Sequence, residues 1–262
     1  KNHDGIIHLA ALIAIPYSYI SPKSYLDTNI VGTQNILESS KQNNIKKVII
    51  TSTSEIYGRS RSFPIKETNQ VDPRSPYSAT KIAADQLSLS YYYSYGLPIT
   101  IVRPFNTFGP RQSSRAVIPT IINQIIDGRR KIKLGNLNTM RNFNFIDDIV
   151  RGFELTIKTG KKTNGKIINL GSGFEISIKN LAKLIAEIEK QKIIIQKDPI
   201  RVRPRNSEVI RLVANNNVAK KLIGWSPKYN QKKSFIKALN KTIKWFKKNS
   251  RNSLNHSNEY II

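Results

Sequence analysis

Lys47–Gly58, KVIITSTSEIYG, is the stretch that decides the fold. Its first half, Lys47–Ser52, is a short β-branched run, the pattern of a strand buried on both faces. Its second half is rich in hydroxyls and carries Glu55. In a parallel α/β sheet, ligands bind beyond the carboxyl ends of the strands, which is where Thr53, Ser54 and Glu55 fall. Farther on, SPYSATK (Ser75–Lys81) opens a helix predicted over Pro76–Tyr95, which Gly96 stops. Tyr77 and Lys81 stand at i and i+4, so both side chains lie on one face of that helix.

The flanking sequence repeats this alternation. Gly5–Ala11 reads as a strand and Tyr25–Asn43 as a helix with Ile30, Thr33, Ile36 and Leu37 on one face. Pro98–Arg103 reads as the next strand, and Val117–Asp127 as a helix ending at Gly128. The expectation is an α/β fold, a Rossmann-like doubly wound parallel sheet with helices on both faces. After Arg129 the pattern loosens. Strands are expected at Lys131–Leu134, Asn142–Phe145 and Lys166–Leu170. Helices are expected at Asp147–Lys158, Ile178–Glu189 and Lys232–Phe246. We therefore divide the chain into a first domain over 1–128, a smaller α/β lobe over 129–248 and a disordered tail over 249–262. The lobe is interwoven with the first domain, with 166–176 returning to the sheet.

Composition narrows the class. The 262 residues, 39% hydrophobic, suffice for one large domain or two unequal ones. The chain has no cysteine, which excludes disulfides and thiolate catalysis and makes the cytoplasm the expected compartment. His3, His8 and His256 without cysteine do not suggest a structural zinc site. No apolar run approaches the roughly 20 residues of a membrane span. Ile6–Ile20 is broken by Pro16 and lacks the flanks of a signal peptide.

Lys plus Arg number 43 against 17 Asp plus Glu, a net charge of +26. One reading is a polyanionic partner such as nucleic acid. The other is compositional, since Lys, Asn and Ile are abundant together and the excess runs along the chain. It is densest at Lys232, Lys233, Lys237, Lys241, Lys244, Lys247 and Lys248, with no zinc-finger or RNA-binding signature. We take the compositional reading, noting that a basic surface would steer an anionic nucleotide.

Y-x-x-x-K alone is a weak motif, and a solvated lysine beside a packed tyrosine is its bland alternative. A tyrosine hydroxyl titrates near ~10, and a neighbouring ammonium would favour the phenolate, which can take a proton from a sugar hydroxyl.

The ordered set HLAA (His8–Ala11), TSTSEIYG, YSATK and RPFNTFGPR (Arg103–Arg111) closely resembles the extended short-chain dehydrogenase/reductase family, the NAD-dependent epimerases and dehydratases of nucleotide sugars. MRNFNFIDD (Met140–Asp148) resembles a further motif of the family, with Asn142 in the usual Asp place. INLGSG, RVRPRNSEV and LIGWSP fit its substrate lobe. The resemblance covers residues 4–248. It implies that Thr53, Glu55, Tyr77 and Lys81 are catalytic. It places NAD against Leu9, Ala10, Ala11, Thr51, Ser52, Tyr77, Lys81 and Pro104. It places a nucleotide-diphosphate sugar against Ser54, Asn106, Arg141, Arg203 and Arg205. It also implies a homodimer built through the helices Tyr25–Asn43 and Pro76–Tyr95.

The departure is at the front. The family's G-x-x-G-x-x-G turn is absent, and Gly171-Ser172-Gly173 is a decoy in the wrong half of the chain. The sequence, opening at Lys1 directly before a strand, reads as an N-terminally truncated fragment whose sheet edge expects upstream strands. Such a fragment is expected to bind NAD poorly and to be inactive by itself.

Glu55 separates the members. Family 4-epimerases carry a small residue there, whereas 4,6-dehydratases need a carboxylate to remove the C5 proton once C4 is oxidised. Ser54 before it matches GDP-mannose dehydratases, and Glu55 would then serve as both base and acid. UDP-glucuronate decarboxylases share Ser-Glu. The segments after Tyr77 and Arg103 look closer to dehydratases of UDP-N-acetylglucosamine on the way to legionaminic-type nonulosonic acids, sugars of cell-surface polysaccharides, so that is the expected substrate. A 4-epimerase, a decarboxylase, an inactive remnant and a basic nucleic-acid module stay open. His8 is read as a packed strand residue, and Asp147 and Asp148 as helix caps.

Overall fold

The structure, a computed structural model, describes residues 3–249. In chain order the elements are β1 (Gly5–His8), α1 (Ile15–Ile20), α2 (Pro22–Tyr25), a π-helical turn (Leu26–Val31), α3 (Gly32–Gln42), β2 (Lys47–Thr51), α4 (Pro76–Tyr95), β3 (Ile99–Pro104) and β4 (Thr107–Phe108). Then come α5 (Val117–Ile126), β5 (Lys131–Leu134), β6 (Met140–Asn142), β7 (Asn144–Phe145), α6 (Ile146–Lys158), β8 (Lys166–Leu170) and β9 (Glu175–Ser177). α7 (Ile178–Ile188), β10 (Ile194–Lys197), β11 (Arg211–Leu212), α8 (Asn217–Ile223) and α9 (Lys232–Asn249) complete the described chain.

The main sheet is parallel, in the order β1-β2-β3-β8. Side chains alternate across a strand, and both faces are apolar here. Val48, Ile50, Ile99 and Ile101 pack with Leu37 of α3 and Tyr91 of α4. Ile49, Val102 and Ile168 pack with Ile149 and Phe153 of α6, Ile223 of α8, and Trp225. The sheet is thus doubly wound, as its near-continuous hydrophobic strands require.

A second core joins α5, α7 and α9 to β5 and to the ring cluster Phe108, Phe143, Phe145 and Phe235. Around it lie the pairs β5–β10 and β4–β7 and the three strands β11-β6-β9.

This packing differs from a division at residue 128. α5 belongs to the second core, whereas α6 and α8 cover the main sheet. An apolar stripe such as Ile118, Ile121, Ile122 and Ile125 announces a buried face but does not name what covers it. Of the segment 166–176 expected to return to the sheet, β8 lies beside β3 in it, whereas the chain from Glu175 pairs with β6 outside it. The tail expected over 249–262 lies, beyond Asn249, outside the described residues.

Three local expectations are corrected. The helix expected at Tyr25–Asn43 is interrupted by the π turn, which turns Asn29 inward, 1% exposed. Asn29 exchanges hydrogen bonds with the backbone of Leu12 and donates to Thr80 of α4. The strand expected at Asn142–Phe145 splits at Phe143, so that β6 pairs with β9 and β11 while β7 pairs with β4. Asp148 does not cap α6. Its carboxylate accepts the backbone N–H groups of Lys228 and Tyr229 and so ties α6 to the approach of α9. Among the described residues, no helix is long and apolar enough to cross a membrane.

Candidate active site

α4 begins where its sequence dictates. Ser75 caps it, exchanging hydrogen bonds with Ser78 in a capping box, Pro76 takes the first turn, and Gly96 closes it in the left-handed conformation. This fixes Tyr77 in the first turn. Lys81, one turn on, is 3% exposed and donates a 2.7 Å hydrogen bond to the Thr51 carbonyl at the end of β2.

After β2 the chain enters a 3-10 turn, Ser54–Tyr57, capped by Thr53, whose Oγ1 accepts the Glu55 N–H at 3.2 Å. Gly58 ends the turn at φ +49°, and a Cβ there would stand 1.9 Å from the Asp72 carbonyl oxygen. Only glycine lets the following loop fold back so tightly.

These residues line a cleft of about 670 Å³ between the two cores, at the carboxyl ends of β2 and β3. Its wall contains Leu9, Thr51, Ser52, Thr53, Ser54, Glu55, Tyr77, Pro104, Asn106, Arg141 and Arg203. Those residues stand apart in sequence and are brought together. Lys81 lies behind the wall. Ala11 lines an adjoining hollow with Leu12, Tyr25 and Arg115, while Ala10 is exposed. Arg205 is exposed and not part of the wall; its backbone carbonyl accepts from Arg59.

The electrostatics of the tyrosine run against the simple sequence expectation. Burial pushes the Tyr77 hydroxyl above its ordinary range; the Thr53 hydroxyl opposes this, and the negative charge of Glu55 adds to it. Lys81 aims its proton at Thr51, and burial lowers its own affinity for that proton, with Asp85 acting in the opposite sense. The pair as it stands therefore holds a neutral phenol.

Burial also raises the proton affinity of Glu55, but Arg203 and Arg141 outweigh it and hold the carboxyl below the usual range. Arg203 Nη1 lies 3.1 Å from Glu55 Oε2. Arg141 is braced by the carbonyls of Met140 and Ile210, with Glu208 3.8 Å away. Asn106 and Gln112 line the same wall, and Asn106 Nδ2 and Gln112 Oε1 are buried without a partner.

Sequence reasoning missed the support behind the site. Arg103 and Asp85, 2% and 1% exposed, form an ion pair at 3.0 Å. Asp85 also accepts from Ser52 at 2.9 Å, and Arg103 donates to the Tyr57 hydroxyl, which donates to Asn169. The signal was present: Asp85 is one turn beyond Lys81, and Arg103 ends an otherwise β-branched strand. His8 is packed as expected, 3.2 Å from the Thr33 hydroxyl.

Asn142 explains its own departure from the family pattern. Fully buried, it donates to Ser172 and to the Phe174 carbonyl, and its oxygen faces the Ala214 N–H at 3.4 Å. The Gly171–Gly173 turn is held by this amide. A Cβ on Gly171 would stand 2.1 Å from the Ala214 Cβ and 2.5 Å from Asn142 Oδ1. Close packing, not phosphate binding, accounts for that glycine.

A doubly wound parallel sheet, a Y-x-x-x-K helix and a Thr-Ser-Glu turn facing one cleft define an enzyme class, the extended short-chain dehydrogenase/reductases that act on nucleotide sugars. Residues 1–237 match the family model described as GDP-mannose 4,6 dehydratase, and the chain belongs to that family. It is 36% identical over 247 residues to a UDP-glucuronate 4-epimerase of Thermodesulfobacterium geofontis, covering 94% of this chain and 73% of the relative. Among solved structures it superposes on a UDP-N-acetylglucosamine 4-epimerase from Methanobrevibacter ruminantium, with TM-score 0.84 and 31% identity over 94% of this chain and 77% of that one. A dTDP-glucose 4,6-dehydratase from Streptomyces venezuelae with NAD bound gives TM-score 0.86 and 26% identity, covering 96% of this chain and 75% of that one.

Proposed function

We propose that this chain carries the catalytic and substrate-binding residues of an NAD-dependent nucleotide-sugar 4,6-dehydratase, with UDP-N-acetylglucosamine as substrate. The observation that carries the reading is Glu55 in the same cleft wall as Tyr77 and Thr53. An epimerase needs a proton acceptor at the C4 hydroxyl, and Tyr77 meets that need. A carboxylate beside it is a group able to take the second proton that elimination requires.

The residues present fit the nicotinamide end of NAD. Leu9 and Ile13, 65% and 66% exposed, offer an apolar rim, and Thr51 Oγ1 is buried without a partner beside them. NAD, when bound, would accept and return a hydride. Tyr77, ionised when the positive charge of the bound cofactor joins that of Lys81, would take the proton of the C4 hydroxyl while the Thr53 hydroxyl holds the oxygen. Glu55 removes the C5 proton, made acidic by the adjacent ketone, and passes a proton to the departing C6 hydroxyl, which leaves as water; the returned hydride would add at C6 and a solvent-derived proton at C5. Lys81 fixes the end of β2 against α4 and supplies positive charge behind the tyrosine. Arg141 and Arg203 present forked donors suited to a diphosphate, and Asn106 offers its unpartnered amide to the sugar or its phosphate. Arg205 would join only from outside the cleft wall.

The 4-epimerase is the second reading, favoured by the 36% identity to an enzyme of that name. We further propose a homodimer through α3 and α4, whose approach leaves Leu26 and Val31 about half exposed, acting in the cytoplasm. Fused to the glycine-rich segment that opens the NAD-binding domain of a relative, the chain is incubated with NAD+ and UDP-N-acetylglucosamine, UDP-glucuronate or dTDP-glucose to test the assignment, and the same fusion serves for every turnover measurement below. A 4-keto-6-deoxy product from UDP-N-acetylglucosamine is expected. A C4 epimer alone, or CO2 from UDP-glucuronate, would overturn it.

A further inference from the structure

Two arginines and two glutamates meet in the cleft as two couples. Arg203 stands 3.1 Å from Glu55, and Arg141 stands 3.8 Å from Glu208. All four line the wall, and their side chains are only 8% to 23% exposed. The couples also act on each other, since Arg141 feels Glu55 and Arg203 feels Glu208. Two guanidinium charges are thus cancelled by two carboxylates. An entering anion drawn to either of these two guanidinium groups has to compete for it with a carboxylate.

The two arginines are not equally free to respond. Arg141 extends from β6 and donates to the carbonyls of Met140 and Ile210. Arg203 sits on irregular chain between the 3-10 turns Pro199–Arg201 and Arg205–Ser207, and its guanidinium donates to Glu55. Arg203 is therefore the cation an anion can draw away, and its planar fork matches a phosphate as well as a carboxylate.

We propose that Arg203 is a shared clamp, taken from Glu55 by the diphosphate of the incoming nucleotide, so that anchoring the substrate and freeing the Glu55 carboxylate are one event. The proposal rests on the nucleotide-sugar reading above and deepens it. While paired, Glu55 has Oε2 occupied and is a poor proton acceptor. Once the guanidinium turns to the phosphates, the carboxylate regains its lone pairs at the reacting sugar. A sugar lacking the diphosphate leaves the base clamped.

The test is the affinity of the 262-residue chain for UDP, measured by calorimetry on wild type, Glu55→Gln, Arg203→Met and the double variant. Removing the competing carboxylate is expected to tighten UDP binding about tenfold, although Glu55 is the proposed base. In the Arg203→Met background the same change should have no such effect, because there is no clamp to release. Glu55→Gln binding that is unchanged or weaker would overturn the proposal, as would equal tightening in both backgrounds. If Glu55→Gln does not fold, a crystal structure of wild type with UDP decides. Arg203 on the phosphates and parted from Glu55 supports the clamp, and Arg203 still paired with Glu55 overturns it. Absence of any binding of UDP or dTDP would refute the nucleotide-sugar reading itself, and the clamp with it. Binding without the Glu55→Gln effect refutes the clamp alone.

Discussion

Lys81 and Thr51 are joined by a 2.7 Å hydrogen bond from the buried ammonium to the last carbonyl of β2. The bond sets the height of α4 against the sheet, and with it the position of Tyr77 over the cleft. It also means that the lysine acts on the tyrosine through the field of a fixed charge. Tyr77→Phe keeps the ring in its pocket against Tyr25 and removes only the hydroxyl. Turnover should fall about 10²- to 10⁴-fold, with the thermal midpoint close to wild type. Retention of most activity would remove Tyr77 from the proton path.

Glu55→Gln should leave C4 oxidation measurable, as a rise in reduced-nicotinamide absorbance on adding substrate, while water elimination stops. Elimination at the wild-type rate would show that Glu55 is not the base.

Arg103 and Asp85 form a buried couple between β3 and α4. Replacing Asp85 by Asn leaves the guanidinium uncompensated, and unfolding free energy should drop by about 3–5 kcal/mol in urea titrations. A change within experimental error would mean that the couple is not holding β3 to α4.

Asn142→Asp, which restores the family's residue, removes the donor to the Phe174 carbonyl and places a charge in a fully buried site. Unfolding should become easier by about 1–3 kcal/mol, read by denaturant midpoint. An unchanged or higher midpoint would contradict this account of the asparagine.

Lys47 gives a pH signature. Its ammonium donates to Gly160, Thr163 and Asn164, and burial pushes it down from 10.5 to about 8. Between those values the unfolded chain holds the additional proton. Stability should therefore rise with pH through that window relative to Lys47→Met, and the two should run parallel below it. Parallel curves throughout would show that the lysine titrates normally.

The fold was legible because the strands Lys47–Ser52 and Pro98–Arg103 are β-branched runs and α4 carries its own start and stop signals. Pro76–Tyr95 and Lys166–Leu170 match the observed bounds. Thr53, Glu55 and Tyr77, which line one cleft, were singled out by motif order. What was not legible depends on contacts across the chain. The partner of α5, the inward turn of Asn29, the Asp85–Arg103 couple and the pairing of Arg203 with Glu55 join positions that no local pattern links. Arg203 looked like a phosphate anchor, and only its distance from Glu55 reveals the competition.

The central claim is that Glu55 takes a proton from C5 and that water leaves C6. Turnover of UDP-N-acetylglucosamine with NAD+ in D2O, followed by mass spectrometry and NMR of the product, tests it most directly. The account predicts a 4-keto-6-deoxy sugar that has lost one water and carries deuterium at C5. A C4 epimer of unchanged mass, with no deuterium on the ring carbons, would contradict it.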